Sequence, residues 1–155
     1  MDFVHLHVQS AYSLLASTVR IDELVAEAKK KGMHSIALTD RNVMYGAIPF
    51  YKACKKQGIK PIIGLLADVL HGEETFPLIL LARNNKGYSN LLKISSSIQT
   101  KTKEGIPLKW LKGYSDGLLA ISPGEEGIIE HNVISGETEK ALEIIRMFQA
   151  LFGSN

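Results

Sequence analysis

"SIALTDRNVMYGAIPFYKACKKQGIKPIIGLLADVL", residues 35–70, holds a short apolar run, a helix-spaced segment and a second apolar run. "SIALT" (35–39) is nearly continuous in its apolar character, the pattern of a strand covered on both faces. "GAIPFYKACKKQG" (46–58) reads as a helix: Pro49 is tolerated in its first turn, and Gly58 closes it. "IKPIIGLLADVL" (59–70) reads as the next strand, and "FPLILLA" (76–82) as an antiparallel return or neighbouring strand after the "HGEET" turn. The unit is strand, helix, strand, and it sets the fold class as α/β.

Working outward, "FVHLHV" (3–8) predicts a first strand. There His5, His7 and Gln9 would share one face and Val4, Leu6 and Val8 the other. Ile21, Leu24, Val25 and Ala28 form a helical stripe over 21–31, with Asp22 and Glu23 at its start and Gly32 as its stop. Beyond 82 come a helix at 86–98, a basic connector holding Pro107 and Trp110, and a strand "GLLAIS" (117–122). A Gly-rich bend then leads to two acidic helical pieces. The last, 137–152, carries Leu142, Ile145 and Phe152 on one stripe with Phe148 beside it. Alternating strands and helices predict a mostly parallel sheet, either open or closed into a barrel.

The composition narrows the function classes. The chain has 155 residues, 45% apolar and 22% charged, which is globular rather than disordered. Its net charge of +2 is too small to argue for nucleic acid by itself. The single cysteine, Cys54, excludes an internal disulfide framework, suits a reducing cytoplasm and reads as buried filler. No apolar run approaches the roughly 20 residues that span a bilayer, and no secretory signal opens the chain. A cytoplasmic chain without membrane partners is expected.

Chemistry in α/β folds gathers at the C-terminal ends of strands. Those ends hold His5, His7 and Gln9, then Asp40 and Arg41, then "LAD" (66–68), then "SPGEEG" (122–127). Two histidines at i and i+2 could begin a metal site, but Gln9 is an amide, Leu66 is inert, and Pro123 and Gly124 bring no side-chain donor. The bland readings are core histidines at 5 and 7, Asp40 capping the next turn, and Arg41 paired with Asp40.

At this point "FVHLHVQSAYSLL", "ALTDRNVMYGAIPFYKACKKQGIKPIIG", "LLARNNKGYSNLLKISS" and "GLLAIS" resemble, in order and spacing, a known family. It is the N-terminal PHP (polymerase and histidinol phosphatase) domain of bacterial DNA polymerase III alpha subunits of the DnaE type. The resemblance runs from Phe3 to about Gly127. It implies a distorted barrel of seven parallel strands wrapped by helices. It also implies that residues 1–155 are the N-terminal part of that domain, with further barrel units and the polymerase body following. A late Asp-x-His pair would then lie past Asn155, and an incomplete barrel is expected.

Active members carry a metal cluster and hydrolyse phosphoesters, some as 3′→5′ exonucleases. Carried over residue by residue, the family's ligand positions fall on His7, Gln9, Ala16, Arg41, Leu66, Pro77 and Gly124; only His7 retains the family's residue. His5 lies outside the usual set. The resemblance therefore implies a catalytically silent domain with a structural and interaction role, holding no metal of its own and contributing no catalytic residue. It belongs to a parent polymerase that uses magnesium, DNA and deoxynucleoside triphosphates. The implied partners are the remainder of the polymerase chain and other replisome subunits. Two alternatives stand beside it. One is an active metal-dependent phosphoesterase or exonuclease with a substitute ligand set from His5, His7, Asp40, Asp68 and His71. The other is DNA contact through a basic strip at 83–112, where Arg83, Lys86, Lys93, Lys101, Lys103, Lys109 and Lys112 face the single acid Glu104. The bland reading of that strip is a solvated face.

Overall fold

The structure, a computed structural model, describes residues 3–72 and 74–153. Helix α1 (Ile21–Lys30) precedes strand β1 (Ser35–Leu38), and α2 (Ala47–Gln57) leads to β2 (Lys60–His71). Strand β3 (Glu74–Ala82) returns beside β2 and is followed by α3 (Asn85–Ser97). A π-helical turn, Ile98–Thr102, extends α3 and is closed by an i→i−5 bond from the Lys103 N–H to the Ile98 carbonyl at 2.8 Å. The connector predicted as irregular holds a two-residue strand β4 (Ile106–Pro107) and a one-turn helix α4 (Leu108–Leu111). Strand β5 (Leu118–Ile121) and helices α5 (Ile128–Ile134) and α6 (Thr138–Phe152) complete the chain.

The α2 boundary follows the sequence closely. Gly58 takes φ +68°, a left-handed conformation that costs other residues a steric clash, and its N–H turns back to Lys55. In α6 the buried side differs from the predicted stripe. Ala141 and Ile144 are buried, while Leu142 is 39% exposed. The stripe is rotated by one residue because Phe148 and Leu151 join Ile144 against the sheet core.

The sheet runs β1-β2-β3-β5, and β4 joins β2. Strand β2 organises it. One edge pairs in parallel with β1 through Lys60–Ile63, then bridges Arg41 at Leu66, then pairs in parallel with β4 at Val69 and Leu70. Its other edge is antiparallel to β3. Strand β3 is in turn antiparallel to β5, so the sheet is mixed rather than mostly parallel. The reason is local: His71 pairs with Glu74, a tight hairpin, and a hairpin can only reverse the chain. The sheet does not close on itself among the described residues, in keeping with an incomplete, distorted barrel.

The two faces bury different sets. Leu65, Ala67 and Val69 of β2 and Phe76, Leu78 and Leu80 of β3 pack against α3 and α6. Ile36 and Leu38 of β1 pack with Val25 of α1 and Phe50 and Cys54 of α2. The opposite face carries Ala37, Leu66, Ile79 and Leu81, flanked by Ile62, Leu119 and Ile121. Strand alternation divides these sets, and one end of the second face meets the candidate site.

Residues 3–8 are not a regular strand. Their backbone does lie along β1, with the Ala37 N–H donating to the His5 carbonyl at 2.9 Å and the Thr39 N–H to the Val8 carbonyl at 2.8 Å. The acceptors are three residues apart and the donors two, so one extra residue is accommodated at a bend on Leu6. That is the arithmetic of a β-bulge, and it breaks the two-residue alternation expected there. His5 and His7 are both exposed rather than core residues.

One close approach fixes α3 to the start of β5. Gly87, in the first turn of α3, lies so near the Gly117 carbonyl that any side chain there would enter that oxygen. Gly117, at φ +74°, feeds directly into β5.

Candidate functional site: the strand-end cluster

Beyond Leu38 the chain keeps running along β2. The Leu66 N–H donates to the Asp40 carbonyl (3.1 Å) and the Asn42 N–H to the Leu66 carbonyl (2.8 Å). This brings Asp40, Arg41 and Asn42 alongside Leu66, Ala67 and Asp68. Across the hairpin, Asp68 stands opposite Pro77. Four of the positions singled out from the sequence, 41, 66, 68 and 77, therefore meet on neighbouring strands.

Arg41 is paired with Asp68, not with its neighbour Asp40. Its Nε donates to both carboxylate oxygens (3.1 and 3.0 Å) and its Nη2 to Oδ1 (2.8 Å). The side chain of Asp68 is only 10% exposed and that of Arg41 46%, so the carboxylate is enclosed while the cation reaches solvent. Hydrogen bonding to Asp68 holds the guanidinium's protonation above its ordinary value, against a smaller loss from burial. Asn42 completes the pairing: its Nδ2 donates to Asp68 Oδ2 at 2.6 Å, and its Oδ1 accepts from the Asp68 N–H at 2.9 Å. Asn42 sits at φ +60°, which asparagine tolerates better than most residues. In that conformation its carbonyl accepts from Ser95 Oγ and Gln99 Nε2 of the α3 region.

Asp40 is satisfied differently. It is 2% exposed and accepts from the Ser10 N–H (2.6 Å), the Ser10 hydroxyl (3.1 and 2.9 Å) and the Ser13 hydroxyl (2.8 Å). Rather than capping the next turn, it ties residues 10–13 down onto the strand end. Ser13 Oγ also accepts from the Arg41 N–H (3.1 Å), so the two networks touch.

His7 lies beside these networks. Its Nδ1 is 2.7 Å from Thr39 Oγ1, and the same hydroxyl accepts from the Val8 N–H. Desolvation lowers the imidazole's pKa from its ordinary value, with Glu126 acting in the opposite direction. The Glu126 carboxylate also favours the charged form of Arg41, more weakly than Asp68 does. His5 instead meets the edge of Phe3, with ring centroids 4.6 Å apart. The Gln9 carbonyl accepts from Ser17 Oγ (2.9 Å), and Ala16 is exposed beside the cleft that Arg41 and Asn42 line. Gly124 lies in the bend after β5 at φ +88°, and the space where a Cβ would stand is open. His71, at the end of β2, is exposed.

These residues do not fit a transition-metal centre. Positions 66 and 77 offer hydrocarbon and position 41 offers a cation. The Asp68 carboxylate is already held by that cation, and Asp40 by serine donors. Among the described residues, no three His, Cys, Asp or Glu side chains gather as metal ligands would. The substitute set His5, His7, Asp40, Asp68 and His71 is accordingly not brought together. Thr39, Asn42, Ser10 and Ser13 are the cluster residues that sequence reading missed. Asn42 alone carried a signal, asparagine being, after glycine, among the residue types that tolerate a left-handed turn.

The basic strip is spread over several elements. Lys86 and Lys93 lie on α3, Lys101 on the π-helical turn and Lys103 just past it at φ +60°, while Lys109 is on α4 and Lys112 follows it. Arg83 stands at the end of β3, and all seven cations are exposed.

A family model described as PHP domain matches residues 5–155. DNA polymerase III subunit alpha of Bacillus subtilis (strain 168) is 54% identical over 156 residues, covering 99% of this chain and 14% of that protein. The protein of the same name from Halalkalibacterium halodurans is 48% identical over 132 residues, covering 83% of this chain and 12% of that one. That of Aquifex aeolicus is 34% identical over 173 residues, covering 99% and 15%. This chain thus spans about one-seventh of the length of the curated relatives it matches. The match over residues 5–155 and the identity to these relatives along nearly the whole chain lead to one assignment: the chain belongs to the PHP domain family.

Proposed function

We propose that this chain is the PHP region of a bacterial replicative DNA polymerase, acting as a structural and interaction domain with no hydrolytic chemistry of its own. The observation that supports this reading best is the bidentate Arg41–Asp68 pair at the corner where family ligand positions converge. A guanidinium there supplies positive charge without an open coordination position, so it can neutralise Asp68 but cannot activate water. His7, Gln9, Ala16, Arg41, Leu66, Pro77 and Gly124 then form a metal-free set. Nucleotidyl transfer, with its magnesium, DNA and deoxynucleoside triphosphates, would belong to other parts of the parent chain. The partners of this domain would be that remaining chain and other replisome subunits, in the cytoplasm. None of the described helices is long and apolar enough to cross a membrane.

The test is elemental analysis of the purified chain after mild chelation, alongside hydrolysis of a generic phosphodiester. We expect no stoichiometric zinc, manganese or iron and no turnover. One or more tightly held metals per chain with hydrolysis would establish the phosphoesterase reading instead. In the parent polymerase, His7→Ala should leave nucleotide incorporation unchanged in a variant that remains folded.

A further inference from the structure

The chain's net charge of +2 conceals a strong segregation of charge. Residues 47–97 hold seven cations, Lys52, Lys55, Lys56, Lys60, Arg83, Lys86 and Lys93, and three acids, Asp68, Glu73 and Glu74. Helices α2 and α3 contain no acidic residue at all. Of the three acids, Asp68 is taken by Arg41. Glu74 begins β3, eight residues from Ala82 at its other end, which at strand rise is about 26 Å away.

Between α2 and α3, at the Lys60 end of β2 and the Ala82 end of β3, lies an open groove of about 700 Å³. Its floor is apolar, with Pro61, Ile62 and Ile63. Tyr51 and Tyr88 line it together with Lys60 and Arg83, and no acid among the described residues lines it. Tyr51 is 48% exposed, a large ring left in solvent rather than packed into the core. Asn84 and Asn85 also line the groove where α3 begins, so the positive end of a 13-residue helix opens onto it.

We propose that the α2–α3 groove binds single-stranded nucleic acid. Lys60 and Arg83 contact backbone phosphates, and Tyr51 and Tyr88 stack on bases. The combination decides the class of ligand. Cations alone would serve any polyanion, but aromatic rings lining the groove among cations, Tyr51 exposed and Tyr88 half-buried, offer the π-faces that unpaired bases need. Duplex DNA hides its bases, leaving the tyrosines nothing to stack on. An acidic peptide would use the cations and leave the rings idle. The groove's role stands apart from the polymerase reading, because it rests on this surface alone and is tested on this chain. It also differs from the strip of cations at 83–112, with which it shares only Arg83.

The test is fluorescence anisotropy of a labelled oligothymidylate of about twelve nucleotides, within the usual length of such sites. Binding should be measured from about 50 mM salt upward, where counterion release makes phosphate contacts visible as a falling affinity. The unaltered chain should bind with a steep salt dependence. Lys60→Gln and Arg83→Gln should each weaken binding and flatten the salt slope. Tyr51→Leu and Tyr88→Leu should each weaken it about tenfold with the slope unchanged, and Tyr51→Phe should bind as the parent does. The double variant Lys109→Gln/Lys112→Gln should behave as the parent. If a leucine variant fails to fold by circular dichroism, the charge variants and Tyr51→Phe still decide, because they alter only exposed polar groups. Absence of binding, or equal loss from the Lys109/Lys112 variant, overturns the proposal. So does competition by polyglutamate with tyrosine variants that bind normally, which would assign the groove to acidic peptide.

Discussion

Asp40 and Asp68 are two enclosed carboxylates on one pair of neighbouring chain segments, and the protein neutralises them in opposite ways. Among the described residues no cation pairs with Asp40; a backbone N–H and two serine hydroxyls fill its oxygens. Asp68 has Arg41 and the amide of Asn42. The first arrangement is local dipoles holding a charge, which preserves the geometry of one loop. The second is a charge holding a charge across elements, which joins the end of β1 to the middle of β2. Both carboxylates are thus aimed at protein donors, by two routes that tie different parts of the corner together. Among the described residues, no buried side-chain nitrogen or oxygen is without a hydrogen-bond partner.

The comparison can be broken most forcefully at Asp40. Replacement by alanine strips the acceptor from the Ser10 N–H and from both hydroxyls, and charged hydrogen bonds contribute more than neutral ones. We expect a loss of about 3 kcal/mol in urea unfolding, insensitive to salt, with the 10–13 loop released. Arg41→Ala should cost less, about 2 kcal/mol, because the cation is half exposed and solvent replaces part of its field. Its cost should shrink as salt is raised to 1 M, where exposed charges are screened within about 3 Å. Replacing both partners, as in Arg41→Leu/Asp68→Leu, should recover most of the loss, since no charge is then left uncompensated. If Arg41→Ala proves neutral, the pair does not hold the corner and the contrast with Asp40 fails.

The smallest effect belongs to His7. Its side chain is largely exposed, but partial desolvation lowers its folded pKa below the ordinary 6.5, so the unfolded chain binds the proton more readily. Stability from this group is therefore present above pH 6.5 and is lost as pH falls from there through the folded pKa. Thermal melts from pH 7 to pH 5 should show a shallow decline that His7→Gln flattens, with Asp40 and Arg41 intact. A decline of equal slope in the variant would assign the titration elsewhere. A separate check on burial is Cys54, whose thiol is pushed up to about 11 by desolvation. It should resist a thiol reagent at pH 8 in the folded chain and react fully in denaturant.

Much of this was legible in the sequence. Helix α1 followed from its apolar stripe and Gly32 stop, α2 from Pro49 in its first turn and Gly58 at its end, and α3 was expected at 86–98, within a residue of where it lies. The turn at 71–75 and the resemblance to the family were legible too, and of the two readings left open for 76–82 the antiparallel return is the one the structure shows. What was hidden shares a cause. The bulge at Leu6, the partner choice of Arg41 and the two hydrogen bonds of Asn42 to Asp68 depend on strand register, and register is not written in spacing. Arg41 could have met Asp40 or Asp68; only the parallel run of residues 39–42 along β2 decides it. The rotated stripe of α6 is a milder case, decided by which neighbour the helix packs on.

The meeting of Gly87 with the Gly117 carbonyl has a consequence for how tolerance to mutation would be interpreted here. Neither glycine touches the strand-end cluster or takes part in any chemistry, yet each leaves no room for even a methyl group. A saturation screen would mark both as intolerant, as sharply as it would mark a catalytic residue. At Arg41, where charge rather than space is at stake, a paired change with Asp68 can restore what a single change removes. At Gly87 no second substitution can make room, because the obstacle is main chain. Intolerance that a partner mutation rescues and intolerance that nothing rescues would thus separate, within one small domain, electrostatic fit from backbone clearance.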